Sequence, residues 1–592
     1  SEEAASEGSG GPFAAQPSGA LSIWTKGRRT GLEILNFKKT NCKDCYKCVR
    51  ECPVKAIRIK DHQAQIITEE CILCGRCVQV CPQNAKDVRD DVPAVEQMIR
   101  SGKRVVASLA PSYIAAFDTD GFAPMAEALK KLGFADVQET AAGAYVVSRE
   151  YERLIREGQP VIISSCCHSI TRLIQRYHVD CLPYYAKVLS PMDAHGRMMH
   201  AQYPDAQIVF ISPCISKKDE VDRYCKDGSI NITITFEELQ EWFDREGITI
   251  DNTKGDDSRY RARFYPETGG ILKSMDHLDG YRYIAIDGVE NCRKALREIG
   301  KGGLHGYFIE MSACEGSCIN GPGMPKERKG MLTSRARVDD NAHKTRDYDV
   351  SFPFSLDKKI PMEIPRVDMP GEHAILDILA KTGKYTPADM LNCGACGYST
   401  CWEKAIAVYQ GKAELEMCLP FMKERAESVS GQILDITPNA IIAVDIVFNI
   451  QLFNNAARRM MGIPDGENMI GRPVGDVFDE FELVQVMDSR QNVIGEKCYL
   501  DRYGIYVEKS IIYDYDHGIM MICLNDINQE EQAAIKAAQM RRETVEITDQ
   551  LINKQMRTVQ EIASLLGETT AETKIALTRL KKSLTDEAGG RS

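Results

Sequence analysis

The sequence predicts a multidomain protein of mixed α/β and α+β class, and three observations carry that prediction. The chain has 592 residues, more than one hydrophobic core accommodates, so several domains are expected. Between residues 103 and 335 short apolar runs alternate with helical stretches, as in an open α/β sheet. From residue 430 the character changes to strand-rich sequence and then to long helices, with no further cysteine motif.

Composition narrows the function. The net charge is −11, from 74 basic and 85 acidic residues, which disfavours nucleic acid or an anionic membrane as the main partner. No apolar run approaches the roughly 18 residues of a membrane span. Residues 1–22, rich in Ser, Gly, Ala, Glu and Pro, read as a disordered leader or an expression remnant. Arg28-Arg29 is not followed by an apolar signal core, so no export signal is expected. The 22 cysteines lie largely in C-x-x-C runs, which read as metal sites in a reducing compartment, the cytoplasm, rather than as disulfides.

Segment 23–90 contains an internal repeat. Cys42, Cys45, Cys48 and Cys52 precede Pro53, and Cys71, Cys74, Cys77 and Cys81 precede Pro82. This is the two-cluster ferredoxin pattern, in which three cysteines of one run share a cluster with the last cysteine of the other. One 4Fe-4S cluster is therefore assigned to Cys42, Cys45, Cys48 and Cys81, and the second to Cys71, Cys74, Cys77 and Cys52. C-x-x-C alone also suits structural zinc; the duplicated spacing favours iron–sulfur.

Segment 91–365 is expected to be an α/β domain with a linker at its C-terminal end. Val105–Leu109, Val161–Ile163, Ile208–Ile211, Tyr283–Ile286 and Tyr307–Ile309 read as buried strands, with helices over 122–132 and 145–157. Three strand-end loops carry cysteine beside small residues: Ser164-Ser165-Cys166-Cys167-His168-Ser169, Pro213-Cys214-Ile215-Ser216-Lys217-Lys218, and Glu310 through Gly321 with Cys314 and Cys318. Ligands of open α/β sheets sit beyond the strands' carboxyl ends, so three loops can converge on one cleft. Any one of these cysteines, taken alone, reads equally as an ordinary buried thiol.

Together the three stretches resemble the cluster-binding signatures of the iron-iron (FeFe) hydrogenases, over about residues 30–335. In that family the active site, the H-cluster, is a 4Fe-4S cube bridged by a cysteine to a two-iron unit with CO, cyanide and a bridging dithiolate. The resemblance implies Cys167, Cys214, Cys314 and Cys318 as cube ligands, with Cys318 bridging. It implies Cys166 as the proton-passing thiol and Lys217 as the cation that holds a cyanide. Ala110-Pro111-Ser112 and Gly269, within Thr268-Gly269-Gly270, match loops that line the two-iron pocket. Ser190 and Glu150 fall on the family's proton route. The sequence departs from the family's pattern at His168, where proline is usual, at Ser312, where methionine is usual, and at Tyr151, in the place of a second glutamate, with Glu152 nearby. The departures imply slow turnover. His168 reads either as a proton relay or as a structural hydrogen-bonding residue.

Residues 336–370 are polar and proline-bearing and read as a loop or linker. Segment 366–428 carries Cys393, Cys396, Cys401 and Cys418. Their spacing resembles that of a small 4Fe-4S domain found in corrinoid iron–sulfur proteins and some sensory hydrogenases; four thiolates also suit zinc. Residues 402–415 between the third and fourth cysteines read as helical. Segment 429–528 resembles a PAS sensor domain in the order of its elements, with a helix over 454–461 ended by Gly462 and strands near 497–501, 504–513 and 517–525. A ligand-binding or a purely dimerising role stays open for it. Segment 529–592 is long-helical. Val545, Ile552, Val559 and Leu566 recur at heptad spacing, Gly567 breaks the run, and Thr569–Glu572 resembles a capping box. An output stalk and a dimer zipper both fit. Cys181, Cys225, Cys292, Cys498 and Cys523 are read as free thiols.

The resemblance implies a sensory FeFe hydrogenase. Its partners would be hydrogen and protons, a redox protein such as ferredoxin, a downstream phosphatase or kinase, and a second copy in a homodimer. The alternatives are a metabolic ferredoxin-linked hydrogenase and a non-catalytic iron–sulfur scaffold.

Overall fold

The duplicated cysteine runs fold as a duplicated backbone. Asp44 and Tyr46 take left-handed conformations (φ 52° and 56°), and Leu73 and Gly75 do the same (55° and 72°) at the equivalent places of the second run. Such residues turn the chain tightly, which packs three cysteines around one point. The runs continue into short helices, Lys47–Glu51 (α1) and Arg76–Gln79. The Cys52 and Cys81 sulfurs then accept equivalent bonds from the Ala56 and Ala85 N–H groups, both at 3.3 Å. Leu35–Phe37 (β1) pairs with Lys86–Val88 (β4), and Ile57–Lys60 (β2) with Gln63–Ile66 (β3), both antiparallel. The computed structural model describes residues 24–25, 28–29, 34–38, 41–253, 255, 258–327, 330–464, 466–566 and 570–586. The leader expected over 1–22 lies outside them. Two units are distinct, Ser1–Phe421 and Met422–Ser592.

The central domain of the first unit divides its strands between two parallel sheets rather than one. Val105–Leu109 (β5), Asp136–Glu139 (β6), Gln207–Ser212 (β8) and Ile232–Thr235 (β9) pair in the order β9-β8-β5-β6, while Val161–Ile163 (β7), Arg282–Asp287 (β10) and Tyr307–Ser312 (β11) pair in the order β10-β11-β7. β5 and β7 are buried at every position, as their unbroken apolar runs require of strands covered on both faces. The helix expected over 145–157 starts earlier, spanning Ala141–Arg156 (α2). His168–Tyr177 (α3), Pro191–Gln202 (α4) and Ser216–Tyr224 (α5) each leave a strand or loop that carries site residues. Ser190 caps α4, with Pro191 at its first turn, where the missing N–H costs nothing.

The linker expected over 336–370 is partly helical, because Met331–Asn341 forms a helix. Beyond it the chain runs as an extended strap, pinned where Asp357 bridges Val188 in antiparallel fashion. The next domain holds helices Glu372–Ala380 and Cys401–Tyr409 (α6); the helix expected over 402–415 stops at Tyr409, with a 3-10 turn at Leu415–Met417. This domain packs on the ferredoxin-like repeat. Ile59 N–H donates to the Lys412 carbonyl at 2.9 Å. Gly397 (φ +96°) lies so close that a Cβ there would sit 3.0 Å from Val49 Cγ1 and 3.1 Å from Arg50 N, so this close approach requires glycine.

In the second unit Ala440–Val444 (β12), Ile450–Phe453 (β13), Val493–Leu500 (β14), Ile505–Asp514 (β15) and Ile519–Asp526 (β16) form one antiparallel sheet, in the order β13-β12-β16-β15-β14. Helix Asn455–Met461 (α7) ends on Gly462 in the left-handed region, as read from the sequence. Asn528–Leu566 (α8) and Thr570–Asp586 (α9) fold as a hairpin, with Lys581 Nζ 3.1 Å from Asp549. The heptad residues Val545, Ile552 and Val559 are half-buried. Gly567 and Thr569 lie outside the described residues, as does the Leu566 side chain. No described helix is long and apolar enough to cross a membrane.

Candidate functional site

The carboxyl ends of β7, β8 and β11 supply the three cysteine loops, and those loops share one cavity. β7 and β11 are neighbours in one sheet, so the Cys166-Cys167 loop and the Cys314–Cys318 loop start side by side. The Ser164 hydroxyl fastens them, accepting from Met311 N–H at 3.1 Å. The Cys214 loop arrives from the other sheet and is held by Gly323 N–H donating to the Pro213 carbonyl at 2.8 Å. Cys166, Cys167, Cys214, Cys318 and Lys217 line a cavity of about 100 Å³, with Ala110, Pro111 and Ser112 on its wall. Cys314 lies at the edge of an adjoining groove that also reaches Cys52 and Cys74.

The thiols are costly to ionise there. Burial pushes Cys167, Cys314 and Cys318 above the ordinary thiol value, and Cys214 beside each adds to the rise. Three thiols raised in this way become thiolates together beside Cys214 only with a positive metal assembly among them, so the donor set fits a cluster. Burial pushes the Cys166 thiol up to about 12, against the Tyr151 hydroxyl and Lys217, which hold it down. Tyr151 Oη lies 3.4 Å from Cys166 Sγ and 2.8 Å from Ser165 Oγ. Lys217 Nζ donates to the Cys166 carbonyl at 3.0 Å and pairs with Glu220 at 2.5 Å.

Other expected residues are placed less directly. Gly269 does not line the cavity, but its N–H donates to Glu310 at 2.9 Å, and Glu310 does line it. The structure does not bring Ser190 or Glu150 to the wall. Ser190 Oγ is occupied as the cap of α4, although Pro191 and Met192 after it face the cavity. Glu150 points to an outer groove, paired with Arg153 at 2.6 Å. The residue of that helix that meets Cys166 is Tyr151. His168 is buried and bonds Asp219 at 2.8 Å. A carboxylate only accepts, so Nε2 carries the ring proton, and Nδ1 has no hydrogen-bond partner among the described residues, with Glu220 4.0 Å away.

Two functional side chains carried no role in the sequence reading. Glu310 accepts N–H bonds from Gly269, Ile271 and Leu272; burial nevertheless raises its carboxyl to about 7. Glu220 stands three residues after Lys217 on α5, a spacing that places two side chains on one helical face, and that spacing was the available signal.

Twelve other cysteines gather as three further sets. Around Cys48, burial raises the thiol, Lys86 opposes this, and Cys42, Cys45 and Cys81 raise it further. Around Cys77 the corresponding neighbours are Cys71, Cys74 and Cys52. The neighbours of each set match the interleaved assignment. Cys393, Cys396, Cys401 and Cys418 line one small cavity together with Lys384 and Lys404, and Lys384 Nζ donates to Cys418 Sγ at 3.5 Å.

Residues 103–322 match the family described as iron only hydrogenase large subunit, C-terminal domain. The chain carries an FeFe-hydrogenase H-cluster domain. Residues 34–82 match the 4Fe-4S dicluster domain, and residues 389–420 the family described as a putative Fe-S cluster. Curated relatives of the FeFe-hydrogenase region include the NADP-reducing hydrogenase subunit HndD of Solidesulfovibrio fructosivorans, 27% identical over 362 residues, covering 49% of this chain and 57% of that one. Iron hydrogenase 1 of Clostridium pasteurianum is 26% identical over 289 residues, covering 38% and 50%. The chain thus spans about half the length of the curated relatives it matches. A solved structure of a variant of the [FeFe]-hydrogenase HydA1 from Chlamydomonas reinhardtii is similar at 19% identity and a TM-score of 0.36, covering 44% of this chain and 91% of that chain.

Proposed function

We propose that this protein is a sensory FeFe hydrogenase that binds and heterolytically splits or forms hydrogen slowly and reports the outcome through its second unit. The observation that carries this reading is the single cavity shared by Cys166, Cys167, Cys214, Cys318 and Lys217. Cys167, Cys214, Cys314 and Cys318 would hold the cube, and Lys217 and the Ala110–Ser112 loop would hold the two-iron unit. When bound, the H-cluster supplies the hydrogen chemistry itself.

The chain's own residues do the rest. Cys166 holds the transferable proton at the cavity wall, and Tyr151 fixes the direction of its thiol. Because Ser165, the other partner of Tyr151, is itself buried, this arrangement supports slow proton exchange. The clusters, when bound, would supply electron transfer, and Cys314 shares a groove with Cys52 and Cys74, so the residues that would hold the cube meet those that would hold the nearer ferredoxin-like cluster. Cys393, Cys396, Cys401 and Cys418 would hold the third cluster, and their domain is tied to the same repeat through Arg50, whose guanidinium donates to the carbonyls of both Ala395 and Cys45. Helix Leu419–Ile436 starts directly after Cys418 and continues into the five-stranded domain, which we read as a PAS sensor from its strand order. A phosphatase or kinase partner, dimerisation and a cytoplasmic location belong to the same proposal.

Infrared spectra of the matured protein under hydrogen and under argon test it. Carbonyl and cyanide bands that respond to hydrogen are expected, and their absence would overturn the reading. The curated relatives favour a second reading, a metabolic hydrogenase. Rapid hydrogen evolution from reduced ferredoxin would decide for that one.

A further inference from the structure

The strap after the H-cluster domain sends a side chain back behind the active site. Leu189 N–H donates to the Leu356 carbonyl at 2.7 Å and Lys358 N–H to the Lys187 carbonyl at 2.8 Å. This short ladder fixes Lys358 next to the segment that runs into Ser190 and Pro191. Its ammonium is buried and lies 2.5 Å from Glu220 Oε1, while Lys217 Nζ lies 2.5 Å from Glu220 Oε2. One carboxylate therefore stands between two buried ammonium groups.

The charge count matters. A Lys217–Glu220 pair by itself is neutral and presents little net field to the cavity. With Lys358 the group of three carries a net positive charge, close to a wall that must accept anionic ligands. Of the neighbouring carboxylates, Asp219 is taken by Arg172 and Arg223; Asp193 is drawn to Lys358 as well as to Arg197, 3.5 Å away, and so offsets part of that charge. Lys358 also lies over the Tyr224 ring, at 4.6 Å, so its position is fixed by the strap, the carboxylate and an aromatic face at once.

We propose that Lys358 is a positioning residue of the active site: by sharing Glu220 it leaves Lys217 oriented and only partly compensated, so that the Lys217 ammonium can grip an anionic cyanide ligand of the two-iron unit. The inference rests on the site reading given above. It also gives the strap a task. Further along the same strap, Glu363 pairs with Arg223 at 2.9 Å and the Asp368 carbonyl accepts from Gln410 at the end of α6 at 2.9 Å. The segment that supplies the charge is therefore anchored on the third cluster domain.

The test is infrared spectroscopy of the matured full chain as wild type, Lys358→Met and Lys358→Arg. Lys358→Met is expected to shift the cyanide bands beyond their line width and to lower the fraction of chains carrying the two-iron unit several-fold. Lys358→Arg, which keeps the charge, is expected to restore both. Cyanide bands and loading in Lys358→Met that superimpose on those of the wild type would overturn the proposal. Should Lys358→Met fail to accumulate, Lys358→Gln is read by the same criteria. A wild-type protein without carbonyl or cyanide bands would instead overturn the site reading itself, a distinguishable result.

Discussion

Two kinds of cysteine site share this chain, and they are built in opposite ways. In the ferredoxin-like repeat and in the third cluster domain the thiols come from one stretch of sequence, wrapped by left-handed residues such as Tyr46 and Gly75. In the H-cluster domain they arrive from the ends of β7, β8 and β11, which belong to two different sheets. A local site depends on its loop; a converged site depends on the whole domain. The converged site is also cross-braced by buried charge: Lys217, on the helix after the Cys214 loop, reaches the Cys166 carbonyl and shares Glu220 with Lys358.

The largest test of this contrast is removal of one thiol from each kind of site. Cys45→Ser is expected to lower the iron content by roughly four atoms per chain, one cluster, and to leave the carbonyl bands in place. Cys318→Ser is expected to abolish those bands altogether. Iron analysis alongside infrared spectra measures both, and carbonyl bands surviving in Cys318→Ser would break the comparison.

Next comes the cross-brace. Glu220→Gln strands two buried ammonium groups, Lys217 and Lys358, without their carboxylate. Removing one member of a buried charge pair costs about 3–5 kcal/mol. Denaturant unfolding of the first unit should show a loss of that size. A loss below about 1 kcal/mol, as for a surface pair, would mean that the brace does not hold the loops.

Glu310 sharpens the contrast through pH. Its carboxyl is raised by burial from 4.5 to about 7 in the folded protein. Between those values the unfolded chain has released the proton and the folded chain has kept it. Stability from this group is therefore highest below about pH 4.5 and falls as pH rises to 7. The full drop is on the order of 3 kcal/mol. Glu310→Gln should flatten this part of the stability profile, so that the difference between variant and wild type grows with pH across the window. A constant difference would show that the carboxylate is already ionised.

These comparisons also explain what the sequence could and could not reveal. Cys42–Cys81 were legible because their duplicated spacing encodes a local site, and Cys393–Cys418 because a similar local spacing was read together with a resemblance. Cys167, Cys214, Cys314 and Cys318 were legible only through resemblance, since no periodicity tells which strand ends meet, and the division into two sheets was not visible at all. Which residue of α2 meets Cys166 was not legible, because a one-residue step on a helix turns a side chain by about 100°, enough to separate Glu150 in the outer groove from Tyr151 beside Cys166. Lys358 sits in a stretch that reads as linker, and nothing local distinguishes it from a solvated lysine.

The smallest test moves to the second unit, where a converged junction exists without any thiol. The Asn454 amide oxygen accepts from Ala457 N–H, capping α7, and from Ile441 N–H in β12, both at 2.9 Å. Its nitrogen donates to the Leu434 and Asn439 carbonyls, also at 2.9 Å. One side chain thus satisfies four backbone groups from three segments. Asn454→Ala removes a cap and leaves the other groups unpaired, a loss of about 2 kcal/mol. Asn454→Asp keeps both acceptor roles and loses the two donors, so its loss should fall between the alanine variant and the wild type. Thermal unfolding of the full chain, followed on the transition that lacks cluster absorbance, measures both. Equal losses for the two variants would place the whole effect in the donors to the carbonyls and none in the cap, making the helix start self-sufficient and the junction, like the ferredoxin loops, a matter of local sequence.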